Sequence, residues 1–181
     1  FPKPAQTQWF QGKAGIVKKS PIVVSNSDEK LGWVASLIST EMGQALGADE
    51  GKLPIGKKDE RGGKATGAEI FLEIVNENAT SGQPVGDLMK NLSNHRGAYV
   101  LLAEPSAIRI IGRDAQGVFY GALTLLQLFR RTGNASGEIP CVRMADSPYH
   151  FYRGMRATLP RGNPREGEMT HAYFRNFLRL M

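Results

Sequence analysis

Two stretches of this chain carry apolar residues at helical spacing, and each follows a run suited to a strand. That alternation limits the fold more than any other feature. A helix with one apolar stripe must bury it against a sheet or another helix. The first stripe is Leu31, Val34, Ala35, Ile38, Met42 and Ala45. Asn26 stands at its start as a cap, Glu29 completes a capping box, and Gly47 supplies a left-handed stop. The second stripe is Val118, Ala122, Leu125, Leu126 and Phe129, in a helix predicted over residues 114–131 and opened by Asp114. Gly121 inside it costs about 1 kcal/mol against Ala unless a neighbouring backbone approaches closely. Arg130 and Arg131 suit the negative helix end, and Gly133 ends it.

The strand signals are β-branched runs at residues 21–25, 69–75, 99–104 and 107–112. The last two are joined by Pro105-Ser106, a tight antiparallel connection. Residues 85–92 read as a short helix. Residues 47–67 are polar and Gly-rich and read as a mobile loop. Gly63-Lys64 within that loop lacks phosphate-loop spacing, because Lys58 and Ala65 stand where Gly and Ser/Thr are required. The order of elements predicts an α/β layer fold, a mixed sheet with two helices packed on one face. Asp146-Ser147-Pro148 marks a boundary, giving a first domain over residues 1–146. Beyond it, residues 149–157 read as a strand, 160–167 as a loop and 169–181 as a helix. A single βα unit cannot satisfy a parallel sheet, so residues 147–181 read as the start of a truncated second domain. The chain also begins at Phe1 rather than Met, as a processed or cut polypeptide would.

Composition narrows the function classes. Hydrophobic residues make up 41% and charged residues 22% of the 181, which excludes a disordered chain. The lone Cys141 allows no intrachain disulfide and reads as a small buried residue. His95, His150 and His171 show no ligand spacing, so no metal and no cofactor is expected. No apolar run approaches the ~20 residues of a membrane span. The sequons at Asn78, Asn91 and Asn134 are read as chance matches. Trp9 and Trp33 are read as packing residues rather than sugar platforms, although Trp9 lies in a polar stretch that is compatible with exposure. The net charge is +6, from 23 Lys+Arg against 17 Asp+Glu. All ten lysines lie at or before Lys90, whereas twelve of thirteen arginines follow it. Arg153, Arg156, Arg161 and Arg165 crowd the tail, where guanidinium forks suit hydroxyls, carboxylates or phosphates.

One segment carries a more specific pattern. A strand pair is followed by Asp114-x-x-Gly117-x-x-Tyr120-Gly121-x-x-Thr124-Leu125-x-Gln127-Leu128, then Ile139-Pro140, Asp146-x-Pro148 and Arg153-Gly154. Residues 99–154 thereby resemble the end of the N-terminal domain of family 20 β-N-acetylhexosaminidases; residues 20–98 match by element order only. The resemblance implies a non-catalytic α+β domain leading into the first strand of a (β/α)8 catalytic barrel. It implies a secreted or periplasmic retaining glycosidase that removes terminal β-linked N-acetylhexosamine, the substrate's own acetamide acting as nucleophile. The catalytic Asp-Glu pair would lie on a later barrel strand, so no catalytic residue is expected in this chain. Arg153 is the one residue carried over, as a ligand to the non-reducing sugar. The competing role for Arg153 is an ion pair with Asp146. Thr158 stands where the family pattern has Asp, although Arg161 matches. The implied partners are an N-acetylhexosamine-containing glycan and the chain's own barrel, with no nucleic acid. Family 84 O-GlcNAc hydrolases and α-glucuronidases carry a related domain, and a basic polyanion- or glycan-binding module is the non-enzymatic alternative.

Overall fold

The apolar runs near residues 70, 100 and 110 become the middle of a seven-stranded mixed sheet. The computed structural model describes residues 4–25, 29–57, 67–75, 96–133 and 136–148. All of them lie in the first of two compact units, Phe1–Phe151. The strands are β1 (Gln6–Gly15), β2 (Ile22–Val24), β3 (Ile55–Lys57), β4 (Glu69–Ile74), β5 (Tyr99–Ala103), β6 (Ala107–Gly112) and β7 (Glu138–Asp146), in the spatial order β1-β7-β5-β6-β4-β2-β3. Strands β3, β2, β4 and β6 pair in parallel; β6, β5, β7 and β1 pair antiparallel. Two helices, α1 (Glu29–Leu46) and α2 (Ala115–Leu128), complete the architecture, an α+β fold as expected.

Strand alternation fixes which residues meet the helices. Ile70, Leu72, Leu101, Ile108 and Ile110 share one core with Leu31, Val34, Ala35, Ile38 and Met42 of α1 and Val118, Ala122, Leu125 and Leu126 of α2. Ala45, expected in the α1 stripe, is exposed. The opposite face holds a smaller cluster of Ala98, Val100, Leu102, Ile111 and Ala145. There Phe71 is covered by the Arg109 guanidinium, 5.5 Å from its ring centre. Gly47 ends α1 at φ +63°, the left-handed stop its position predicts.

The structure adds what the periodicity missed. Neither β1 nor β7 was expected, yet they form the antiparallel margin of the sheet. β1 is a polar edge strand whose register with β7 shifts between Trp9 and Lys13, so its sequence shows no clean alternation. β7 contains Pro140, which argues against an interior strand; it pairs with Lys13 on the far side of that shift. The loop predicted over residues 47–67 contains a 3-10 turn at Asp49–Gly51 and strand β3. Ser39, buried in α1, donates its hydroxyl to the Leu53 carbonyl at 2.6 Å and fastens that segment to the helix. α2 stops three residues earlier than predicted, at Leu128, and passes into a π turn over Phe129–Gly133. Arg130 pairs with Glu41 of α1 at 2.6 Å. Asn26, the predicted helix at 85–92 and the predicted strand, loop and helix of 149–181 lie outside the described residues.

The glycines of α2 account for its close seat on the sheet. A Cβ on Gly121 would stand 2.5 Å from Ile110 Cγ2, and one on Gly117 would collide with the Ala98 carbonyl oxygen. Gly32 in α1 is different, with nothing within 4 Å of a Cβ there. Opposite signs are therefore expected in urea unfolding. Gly121→Ala should lose about 1–2 kcal/mol, overpacking outweighing the helix-propensity gain. Gly32→Ala should gain up to ~1 kcal/mol. Equal effects at the two positions would show that α2 does not sit this closely.

Candidate functional site

The motif residues that give the sequence its family likeness act as scaffold. Asp114 caps α2: its Oδ1 accepts the Gly117 amide at 2.8 Å and the Gly97 amide at 3.2 Å. Gly117 and Gly121 let α2 approach β5 and β6. Thr124 Oγ1 and the Tyr99 hydroxyl share a hydrogen bond of 2.6 Å, joining α2 to β5. Tyr120 accepts from Gln116 Nε2 at 2.8 Å. Gly97, Tyr120 and Pro148 crowd together, since a Cβ on Gly97 would stand 2.7 Å from the Tyr120 ring and 3.0 Å from Pro148.

Burial sets the ionisation of two groups. The Tyr99 hydroxyl is pushed up to about 12, chiefly by burial; the Thr124 hydrogen bond pulls the other way and the Asp146 carboxylate adds to the rise. Burial, reinforced by the Glu104 charge, also raises the Cys141 thiol. Cys141 is a buried free thiol, as its sequence position suggested.

An open cleft of about 550 Å³ lies where the first turns of the two helices come together. Lys30, Trp33 and Val34 contribute from α1, and Ala115, Gln116 and Phe119 from α2. Asp114 and Arg96 complete the lining. Trp33 is 60% exposed, which corrects the expectation that it is a packing residue, and Trp9 is 55% exposed, as its polar stretch allowed. Trp33 nevertheless has a fixed neighbour, its ring centre 5.4 Å from that of Phe119. Phe119 in turn lies 5.9 Å from Tyr120. The misplacement of Trp33 was avoidable, because it falls between Leu31 and Val34 and out of phase with the α1 stripe.

Arg153, the predicted sugar ligand, lies outside the described residues, as do Arg156, Thr158, Arg161 and Arg165. Arg143, first of the arginine-rich tail, is a β7 residue whose guanidinium sits 5.4 Å from the Phe10 ring centre. Asp146, the alternative partner for Arg153, accepts the Ala5 amide at 3.3 Å. No group of three or more His, Cys, Asp or Glu suited to a metal occurs among the described residues. No helix among them is long and apolar enough to cross a membrane.

The model for glycosyl hydrolase family 20, domain 2, matches residues 1–147. The chain belongs to this family. A stretch of 62 residues is 39% identical to a β-hexosaminidase of Porphyromonas gingivalis, covering 31% of this chain and 8% of that protein. The fold is similar to that of the Flavobacterium johnsoniae chitobiase (TM-score 0.61, 18% identity), over 84% of this chain and 21% of that one. It is also similar to the family 20 β-N-acetylhexosaminidase of Streptomyces coelicolor (TM-score 0.58, 17% identity), over 81% of this chain and 26% of that one. This family 20 chain thus spans less than a tenth of the curated relative's length and about a quarter or less of these solved chains.

The raised Tyr99 hydroxyl predicts a pH dependence. The neutral phenol is favoured in the folded state, whose value of about 12 exceeds the ordinary 10. Its contribution is whole below pH ~10 and is lost as pH rises towards 12, for about 2–3 kcal/mol in all. Tyr99→Phe should abolish that component, read by urea unfolding across alkaline pH. A wild-type tyrosinate titration with every phenol ionising near 10 would contradict this account of Tyr99.

Proposed function

We propose that this chain is the non-catalytic N-terminal domain, with the first strand and helix of the barrel, of a secreted or periplasmic β-N-acetylhexosaminidase. The parent enzyme removes terminal β-linked N-acetylhexosamine with retention, using the substrate's acetamide as nucleophile. The observation that carries this reading is the family match over residues 1–147, supported by the segment 39% identical to a β-hexosaminidase. The chemistry of the described residues agrees with a supporting role. Among the described residues that line the cleft between the helix starts, the one acid is Asp114, and that carboxylate is already engaged with two backbone amides. A general acid for glycoside cleavage must face the glycosidic oxygen, whereas the Asp114 carboxylate is turned to the Gly97 and Gly117 amides. The general acid and the residue that orients the acetamide then belong to the barrel, and this chain alone is inactive.

Arg153 takes the role of substrate ligand in this reading. A planar guanidinium gives paired hydrogen bonds to neighbouring hydroxyls of the terminal sugar, and the proposal assigns Arg153, which follows Asp146-x-Pro148, to the first barrel strand. The barrel is the domain's permanent partner and the glycan its substrate; no metal or cofactor takes part. The alternatives of a family 84 hydrolase, an α-glucuronidase or a non-catalytic polyanion module draw no support from the family match.

The test is hydrolysis of an aryl N-acetyl-β-glucosaminide by the full-length protein and by this chain. Activity is expected in the first and none in the second. Arg153→Ala in the full-length protein should lower kcat/KM by about 100-fold, the loss of charged hydrogen bonds worth ~3 kcal/mol. Full-length protein inert towards N-acetylhexosaminides would sink the proposed activity. An Arg153→Ala variant at wild-type rate would remove Arg153 from the site while leaving the family reading intact.

A further inference from the structure

We infer that the outer edge of β1 is a pairing edge, and that its occupant is β1 of a second copy of this chain, antiparallel about a two-fold axis at Gln8. Among the described strands, β1 is the outermost on its side of the sheet. The ladder decides which of its backbone groups point outward. The Arg113 amide donates to the Ala98 carbonyl at 2.9 Å, so Val100 and Leu102, in phase with Ala98, turn their backbone groups to β6. Tyr99, Leu101 and Ala103 then turn to β7, where they meet Asp146, Met144 and Val142. Ala145 and Arg143 are left to face β1, and they pair with Gln6 and Gln8. Thr7 and Trp9 therefore direct their amides and carbonyls away from β7, to the outer edge.

Sheet edges are ordinarily protected by charge, proline, bulges or short length. β1 carries such devices only in its second half: the register shift between Trp9 and Lys13, Gly12 at φ +109°, and Lys13 paired with Glu138 at 2.7 Å. The first half runs in unbroken register from Gln6 to Trp9. The window Gln6-Thr7-Gln8-Trp9-Phe10-Gln11 holds no charge, no Pro and no Gly, the composition of segments that pair with copies of themselves. Its side chains are exposed except for half-buried Thr7. Only the register centred on Gln8 sets both outward residues opposite outward residues within the straight half. Thr7 of each copy then faces Trp9 of the other, a favourable aromatic and β-branched pair, and no like charges meet. The opposite edge strand, β3, is only three residues long, so each copy offers one long edge and the assembly closes as a dimer rather than a fibre. Edge pairing over so few residues covers less than the ~1,200 Å² of a standard interface, so the dimer is weak and concentration-dependent. This inference concerns assembly and does not depend on the hydrolytic reading.

The experiment is sedimentation of the 181-residue chain, with amide hydrogen exchange read by NMR at both ends of the concentration range. From about 10 µM to ~1 mM the mass should rise from one copy towards two. The Thr7 and Trp9 amides should exchange fast at the lowest concentration and severalfold more slowly at the highest. Gln8→Lys and Gln8→Glu each set like charges face to face on the axis and should weaken dimerisation by about three- to tenfold. An equimolar mixture of the two variants sets opposite charges there and should restore it. Gln8 is exposed, so both variants should keep the wild-type unfolding transition; if either does not fold, exchange in the wild-type chain carries the comparison. A chain that stays monomeric throughout would overturn the inference. So would Thr7 and Trp9 amides already protected at the lowest concentration, which would mean that the edge is covered within one chain. A Gln8→Lys dimer as strong as wild type, or a mixture no stronger than either variant alone, would place the contact elsewhere and overturn it too.

Discussion

How closely α2 can approach the sheet governs the rest of this domain. At Gly117 the helix backbone comes against the carbonyl of Ala98, and at Gly121 it meets the side chains of Ile110 and Tyr99. Those contacts set the depth at which Val118, Ala122 and Leu125 enter the core shared with Leu101 and Ile110. Asp114 ties the same helix start to the turn at Gly97, and the Thr124–Tyr99 hydrogen bond fixes its middle. A helix of 14 residues is short to be stable on propensity alone, so its persistence depends on this seat. α1 then packs beside α2 over the parallel strands, with Arg130 and Glu41 joined at the surface. That exposed ion pair adds little energy; the apolar core holds the helices together.

What was legible in the sequence follows from how each element is buried. α1, α2 and the central strands β4, β5 and β6 face a core, and burial imposes periodicity. β1 faces solvent along much of its length, carries Gln, Lys and Gly, and changes register partway, so nothing in its spacing announces a strand. β7 is masked by Pro140, which local reading treats as a breaker although the register shift accommodates it. Pairing order lay beyond local pattern altogether, since the parallel neighbours β2, β4 and β6 are brought together by non-local contacts. The cleft was only half legible. Trp33 is visibly out of phase with its helix, but Arg96 reaches the same space from a turn far along the chain.

Several residues of the motif that suggested the family have a structural explanation. Asp114 caps, Gly117 and Gly121 admit the sheet, and Thr124 binds Tyr99. Such residues report a fold rather than a reaction, and fold alone does not determine function. This is why the family assignment is firm while the chemistry must be argued from Arg153 and from the length of the relatives. Among the described residues, the capping, packing and hydrogen bonding that hold the α+β layers run as far as Pro148.

The two faces of the sheet treat their aromatic residues differently. On the face away from the helices, Phe71 lies under the Arg109 guanidinium and is only 7% exposed. The arginine covers the ring and keeps its own charge in water, as long cationic side chains do. On the helix layer, Trp33 and Phe119 touch each other but leave the indole open beside Lys30 and Arg96. Cations and aromatic groups are thus present on both faces, stacked together on one and set side by side on the other. Stacked, they satisfy each other and leave little for a ligand. Side by side, they leave the indole plane exposed at the edge of the helix layer.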